Sequence, residues 1–406
     1  METITIENVG PIKGVENLEL NKVNVFIGPQ SSGKSTIAKI ISFCSWVEKK
    51  YIRDGLSLSL SRKEHYADWV RFEDLIKYHR LVNGYFSAES SFHYQGEQLS
   101  ISRNTTTSIT QNGLGIGMKM SGTRYNSKVQ YIPAERNFVA VIPNLKKYAE
   151  ERDSIQGFID NWYEAKRKYD TGNPLDILKM GVRYYTHEDM DRLYLDKEGK
   201  EISLQIASSG LQSVVPLVTL ADYTLRGIYN ESRPMSVSEQ DELAREYNKM
   251  VHQKQKNNDS IDSKDLEMLL NLILSKNYVN TKLIIEEPEQ NLFPSTQRDL
   301  VYHLLQLITG ERDHRLTITT HSPYILYALN NCMMAGLVYD KMRAEDQAKI
   351  KCQYAKIDPS KVSIYEIKEG YVDKIQRKNG LISSNYFDRK MKELMDDFYV
   401  MLNYYA

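Results

Sequence analysis

The sequence predicts an α/β protein with a mixed core sheet, and three observations predict it. Short apolar runs, Val23 to Ile27, Leu283 to Ile285 and Leu316 to Thr320, read as buried strands because they are too short for helices. Each ends at once on residues that carry chemistry: Gly28, the carboxylates Glu286 and Glu287, and His321. Between them lie helical patterns, among them a start at Ile37 and an apolar run from Leu211 to Leu220. Strands alternating with helices imply a largely parallel core.

The first residues read as antiparallel strands leading to the Val23 strand. Then comes Gly28-Pro29-Gln30-Ser31-Ser32-Gly33-Lys34-Ser35-Thr36, a glycine-bounded loop between strand and helix, which is the context a phosphate cradle requires. Gly28 and Gly33 let the backbone curl so that successive N–H groups point inward, and the helix N-terminus adds partial positive charge there. Lys34 supplies a point charge to β- and γ-phosphates, and Ser35 offers a hydroxyl to Mg²⁺. The helix runs to about Arg53. A polar helical stretch (66–82), a hairpin about Gly96 built from Phe92-His93-Tyr94 and Leu99-Ser100-Ile101, and a Thr/Asn/Gly-rich connection follow. From 139 to 169 the pattern is helical, with Lys166-Arg167-Lys168 as its basic end.

A strand over 201–206 leads to Ala207-Ser208-Ser209-Gly210 and the Leu211 helix, so that backbone N–H groups and a serine hydroxyl stand at a helix N-terminus, an anion site. The Leu283 strand ends on Glu286 and Glu287: the first is placed to hold the Mg²⁺ shell and the second to orient and deprotonate an attacking water, with Glu289 as a further candidate for either task. His321 ends the next strand, where an imidazole can contact the γ-phosphate and sense its loss. Val362 to Ile375 reads as a hairpin turning at Glu369-Gly370. The final helix (387–402) repeats Phe387, Met391, Leu394, Phe398 and Met401, one apolar stripe that packs on its own domain or on a partner.

In this order, phosphate loop, serine-glycine turn, aliphatic strand ending in Glu-Glu-Pro and strand ending in His-Ser-Pro resemble the ABC-type P-loop ATPase head. Ile4-Thr5-Ile6-Glu7-Asn8-Val9-Gly10-Pro11-Ile12-Lys13 and Glu287-Pro288-Glu289-Gln290-Asn291-Leu292-Phe293-Pro294 resemble segments of its SMC, RecF and OLD-like branch. The resemblance implies one domain over 1–406: a mixed core sheet, an antiparallel β-lobe with an insertion (59–126), a helical lobe ending in the signature helix (139–225), a polar surface insertion (226–265), and a closing hairpin and C-terminal helix (362–406). It further implies that two heads sandwich ATP and Mg²⁺, as a homodimer or higher homo-oligomer, with Ser208, Ser209 and Gly210 of one head facing the γ-phosphate of the other. Gln130, in Ser127 to Pro133, stands as the glutamine-loop contact to nucleotide and Mg²⁺, with Glu135, Arg136 and Asn137 as neighbours that could serve instead. Phe293 stands where transporters carry an Asp that crosses the dimer interface. About seventy residues separate Arg136 from Ser208 without a sustained heptad, so this is a head without a long coiled coil.

Composition bounds the rest. With 53 basic and 53 acidic residues the chain has no global charge to draw it onto nucleic acid or membrane. Cys44, Cys332 and Cys352 are far apart with no metal spacing, which fits a reducing cytoplasm, and no basic-then-apolar leader or membrane-length apolar run is read. The early Glu and later Asp-x-Asp of the OLD-like TOPRIM nuclease domain have no match between Ala335 and Ala406. The chain is therefore similar to the ATPase subunits of bacterial phage-defence systems such as PARIS, which implies a regulatory ATPase controlling a separately encoded effector, a nuclease or toxin. A RecF-like repair ATPase that binds DNA, and a scaffold in which ATP merely glues subunits, are the alternatives.

Overall fold

The computed structural model describes residues 2–58, 70–81, 84–104, 113–119, 126–142, 153–229 and 278–405, with Leu145 and a few positions between 244 and 254. Its strands are β1 (Glu2–Val9), β2 (Ile12–Leu20), β3 (Val23–Ile27), β4 (Phe86–Gln95), β5 (Leu99–Arg103), β6 (Gly115–Met118), β7 (Asn126–Ile132), β8 (Leu175–Asp176), β9 (Val182–His187), β10 (Met190–Leu195), β11 (Lys200–Ser203), β12 (Tyr278–Glu286), β13 (Arg315–Thr320), β14 (Val362–Lys368) and β15 (Tyr371–Lys374). The helices are α1 (Lys34–Leu58), α2 (Phe72–Tyr78), α3 (Phe138–Val141), α4 (Ser154–Lys166), α5 (Ser209–Leu225), α6 (Pro294–Ile308), α7 (Pro323–Val338), α8 (Ala344–Gln347) and α9 (Tyr386–Leu402).

The fold is α/β with a mixed sheet, as the apolar runs predict. Eleven strands join in the order β6-β5-β4-β1-β2-β15-β14-β3-β13-β12-β7. The run from β14 through β3, β13 and β12 to β7 is parallel, and β1, β2, β4, β5 and β6 form its antiparallel extension. All five residues of β3 are buried, as expected of a strand covered on both faces. On one face α1 presents Ile37, Ile40, Ile41, Cys44 and Val47 at helical spacing to the antiparallel extension. On the other, the apolar helix α5 is buried on all sides from Ser213 onward, packed with α6, α7 and the parallel strands.

Buried charge ties the two halves of the sheet. Lys282 of β12 pairs with Glu2 of β1 and, at 3.1 Å, with Glu48 of α1. The other Glu48 oxygen accepts from the Leu99 N–H at 3.1 Å. Burial alone would raise the Glu2 carboxyl, but Lys282 and Arg315 hold it below the ordinary carboxylate range.

The carboxylate strand β12 is separated from the phosphate-loop strand β3 by β13. Three expectations change. The strand expected over 201–206 stops at Ser203, whose side chain accepts from the Gln205 N–H and starts a 3-10 turn, Leu204–Ile206. The region 139–225 is not helical throughout, since β8 to β11 form a separate four-stranded antiparallel sheet inside it, turning at Glu188 and Asp189 with positive φ. Lys166, at the basic end of the 139–169 pattern, is buried against Asp191. Finally, the apolar stripe of the last helix does not pack on its own domain beyond the first turn: no residue of α9 is buried. The 226–265 insertion lies almost wholly outside the described residues, as do parts of 59–126.

Candidate nucleotide site

The loop from Gly28 to Gly33 leaves β3 at the carboxyl end of the parallel strands, where open α/β sheets place their ligands. Its two glycines are there for space as well as conformation. Gly28 has φ 150°, and a Cβ on it would come within 2.6 Å of the Ile367 carbonyl of β14. Gly33 has φ 106°, and a Cβ there would meet the Ile12 side chain at 2.4 Å. Between them Ser31 takes φ 60° and the Ser32 N–H donates to the Pro29 carbonyl at 3.4 Å, closing the curl. Gln30 and Ser31 are exposed at the rim. The Lys34 ammonium lies back across the loop and donates to the carbonyls of Gly28 at 3.0 Å and Pro29 at 2.7 Å. Burial pulls it down to about 8, against the push of the Glu287, Glu289 and Glu286 carboxylates.

Ser35 hydrogen-bonds Glu286, and Tyr131 of β7 donates to the same carboxylate at 2.7 Å. Glu286 is buried, and desolvation raises its pKa against the lowering influence of Lys39, Tyr131 and Ser35. The hydroxyl and carboxylate of Ser35 and Glu286 are therefore adjacent, a small hard-oxygen pair of the sort Mg²⁺ accepts when phosphates and water complete its shell. Among the described residues no group of three His, Cys, Asp or Glu side chains is poised to hold a metal by itself. Thr36 contributes no hydroxyl here, since it bonds the Tyr85 hydroxyl at 2.7 Å.

The three glutamates differ sharply. Glu289 is tied up: its oxygens accept from Thr320 Oγ1 at 2.8 Å and from the His321 N–H at 2.6 Å, so it builds the turn that carries the histidine. Glu287 is half-buried, and His321 Nε2 stands 3.4 Å from its Oε1. That hydrogen bond, with the charges of Lys34 and Arg136, holds the Glu287 carboxyl below the ordinary range despite some desolvation. Its backbone has φ 44°, a left-handed position unusual for Glu, and its N–H donates to the Thr319 carbonyl at 2.9 Å.

Lys34, Ser35, Glu286, Glu287 and His321 thus come together; Gln130 does not. Strand alternation decides it: Tyr131 and Val129 face α1 and pack with Ala38 and Ile284, which turns Gln130 to the opposite face. There it is fully buried and its amide donates to the Tyr131 carbonyl at 3.0 Å. Gln130 is corrected as a nucleotide or Mg²⁺ contact. Its neighbour Glu135 instead lines a cleft of about 340 Å³ with Lys39, Tyr131 and Glu286.

Arg136 was a mere alternative in the sequence and proves central. It is completely buried, and its guanidinium donates to the carbonyls of Glu286 at 2.9 Å, Glu287 at 2.7 Å, Pro133 at 3.3 Å and Ser213 of α5 at 3.3 Å. Ser213 lies one turn beyond the serine-glycine segment. Ser208 caps α5, its Oγ accepting from the Leu211 N–H at 3.4 Å, and both Ser208 and Ser209 are exposed. Gly210 sits against the loop that follows Glu287: a Cβ would press the Asn291 carbonyl at 3.0 Å. Ile206 and Phe293, 78% and 75% exposed, flank this end of the helix.

No protein-family model matches the chain, and no curated protein does. Solved structures with similar folds include the SMC head domain from Thermotoga maritima, 9% identical with a TM-score of 0.38 over 93% of this chain and 98% of that one. An Smc head with an extended coiled coil bound to the C-terminal domain of ScpA, from Pyrococcus furiosus, is 9% identical with a TM-score of 0.37 over 98% and 99%. The recombination mediator protein RecF is 12% identical with a TM-score of 0.32 over 92% and 97%. At such low scores the functional reading rests on the residues of the site. Among the described residues no helix is long and apolar enough to cross a membrane.

Proposed function

We propose that this chain is a Mg²⁺-dependent ATPase of the ABC and SMC-like kind, in which two copies close around ATP and hydrolysis reopens them. The observation that carries this reading is the convergence at the carboxyl ends of the parallel strands of a curled glycine loop with Lys34, the adjacent Ser35 and Glu286, and the Glu287–His321 pair. Lys34 would exchange its loop carbonyls for phosphate oxygens. Ser35 and Glu286 would hold Mg²⁺, which would offset the charge of the phosphates. Glu287, kept ionised and aimed by His321, would take the proton of the attacking water. His321 would in turn face the γ-phosphate, so that its loss frees the pair. Glu135 replaces Gln130 as the residue beside the cleft.

Ser208 and Ser209 are exposed, and the apolar Ile206 and Phe293, also exposed, suit burial against a second copy. With Glu287→Gln slowing turnover, ATP is expected to double the mass seen by light scattering, and Ser208→Arg to prevent the doubling by placing a bulky side chain in the partner's phosphate site. An unchanged mass with ATP would refute closure. Acidity offers a second check. Because the nucleotide needs charged Lys34, affinity should be flat below the free-state value of about 8 and about tenfold weaker near pH 9. Calorimetry in buffers of differing ionisation enthalpy reads the matching proton uptake; affinity constant to about pH 9.5 would contradict it.

The finer reading, a sensor or regulatory ATPase of a bacterial antiviral system acting in the cytoplasm through a separately encoded effector, is supported by the resemblance of the motifs to such subunits. Co-purification with the product of an adjacent gene tests it.

A further inference from the structure

Among the described residues, α9 is fastened to the domain at its root. Asn385 caps it by accepting from the Phe387 N–H at 2.9 Å, and Asp388 answers by accepting from the Asn385 N–H at 3.1 Å. Glu366 of β14 pairs with Arg389 and accepts from the Tyr386 N–H at 3.0 Å. Phe387 rests against the main core. From Asp388 to Leu402 every residue is exposed, and Met391, Leu394, Phe398 and Met401 stand 51% to 66% open. A contiguous apolar stripe of that kind gains free energy only by leaving water.

The flanking charges say what covers it. Apolar positions separated by four, three, four and three residues line one face of the helix, the arrangement of a helix–helix seam. Lys390 precedes the Met391 position and Asp397 precedes Phe398, so opposite charges flank one side of the seam a heptad apart. In a parallel pair they would face the uncharged Met395 and Leu402. In an antiparallel pair with Met391 opposite Leu394 of the second copy, Lys390 faces Asp397 of that copy, and two-fold symmetry repeats the contact. The pair would replace the exposed Lys390–Glu393 contact within the helix, 2.7 Å long.

We propose that α9 is a self-association element through which two copies of this chain pair as antiparallel helices, independently of nucleotide. This contact is separate from closure around ATP, and two different two-fold contacts on one chain build assemblies larger than a dimer.

Light scattering of the full chain without nucleotide tests it, so that failure of ATP-dependent closure cannot be mistaken for failure of this pairing. The wild type should be a dimer at about 50 μM. Leu394→Asp should give a monomer with an unchanged melting temperature, since no neighbour in the domain covers that side chain. Lys390→Asp should weaken pairing about tenfold, and adding Asp397→Lys should restore it. A monomeric wild type, a Leu394→Asp dimer, or a double charge swap that does not restore pairing would each overturn the proposal. So would α9 capturing only a different protein while this chain stays monomeric.

Discussion

Lys34→Ala is expected to abolish ATP binding, and Glu287→Gln to keep binding while turnover falls by about a thousandfold. The two side chains sit in one cluster but act on different states. Lys34 is the cation at the centre of the loop, its ammonium already 2.7 Å and 3.0 Å from loop carbonyls, and phosphate oxygens are stronger acceptors for the same donors. Removing it leaves the anion facing Glu286, Glu287 and Glu289 without the loop's own cation. The Glu287 carboxylate faces His321. An amide of the same shape keeps ground-state binding but has no basic oxygen to take the water proton, a contribution of about 10²–10⁴ that water exclusion can enlarge. Isothermal titration beside a phosphate-release assay separates the two. Near-normal hydrolysis by Glu287→Gln would move the base to Glu286, because Glu289 is committed to the Thr320 hydroxyl and the His321 backbone.

What was legible in the sequence follows from physics. β3, β12 and β13 are buried along nearly their whole length, so each carries a short stretch rich in aliphatic or β-branched residues, and the residues at their tips could be named directly. Which strands neighbour one another leaves no such trace, and β13 between β3 and β12 emerges only in three dimensions. Gln130 failed for a related reason: alternation places it opposite Tyr131, but a strand's own sequence does not say which face looks toward α1. The sheet from β8 to β11 was hidden because its strands are largely half-exposed and carry Arg183, His187, Asp191 and Lys200 among the apolar residues. The four-three spacing of α9 showed that a stripe exists, whereas its exposure depends on how far the helix projects past Glu366.

Arg136→Ala is expected to destabilise the fold by about 3–5 kcal/mol, and Arg136→Lys to leave it folded but slow hydrolysis far more than it weakens ATP binding. The fork of this buried guanidinium satisfies four carbonyls from three segments: Pro133 after β7, Glu286 and Glu287 at the tip of β12, and Ser213 in α5. Alanine would remove four hydrogen bonds at once and leave carbonyls buried around the guanidinium short of a donor, the kind of loss that lies at the large end of single substitutions. Lysine restores a charge but has no planar fork, so it can reach only some of the acceptors. Glu287 then loses support where it most needs it, since its left-handed φ of 44° costs about 1–3 kcal/mol that surrounding bonds must offset. A carboxylate free to relax leaves the position from which it meets the water, and kcat should fall about a hundredfold while KM changes little, because Lys34 and the loop are untouched. The same fork joins Ser213, one turn beyond Gly210, to the Glu287 carbonyl, so on the proposed closure a second copy pressing on Ser208 and Ser209 would act on Glu287 through Arg136. Steady-state kinetics and a thermal melt of both variants decide the matter; an Arg136→Lys enzyme with wild-type kcat would show that Glu287 holds its position without the clamp.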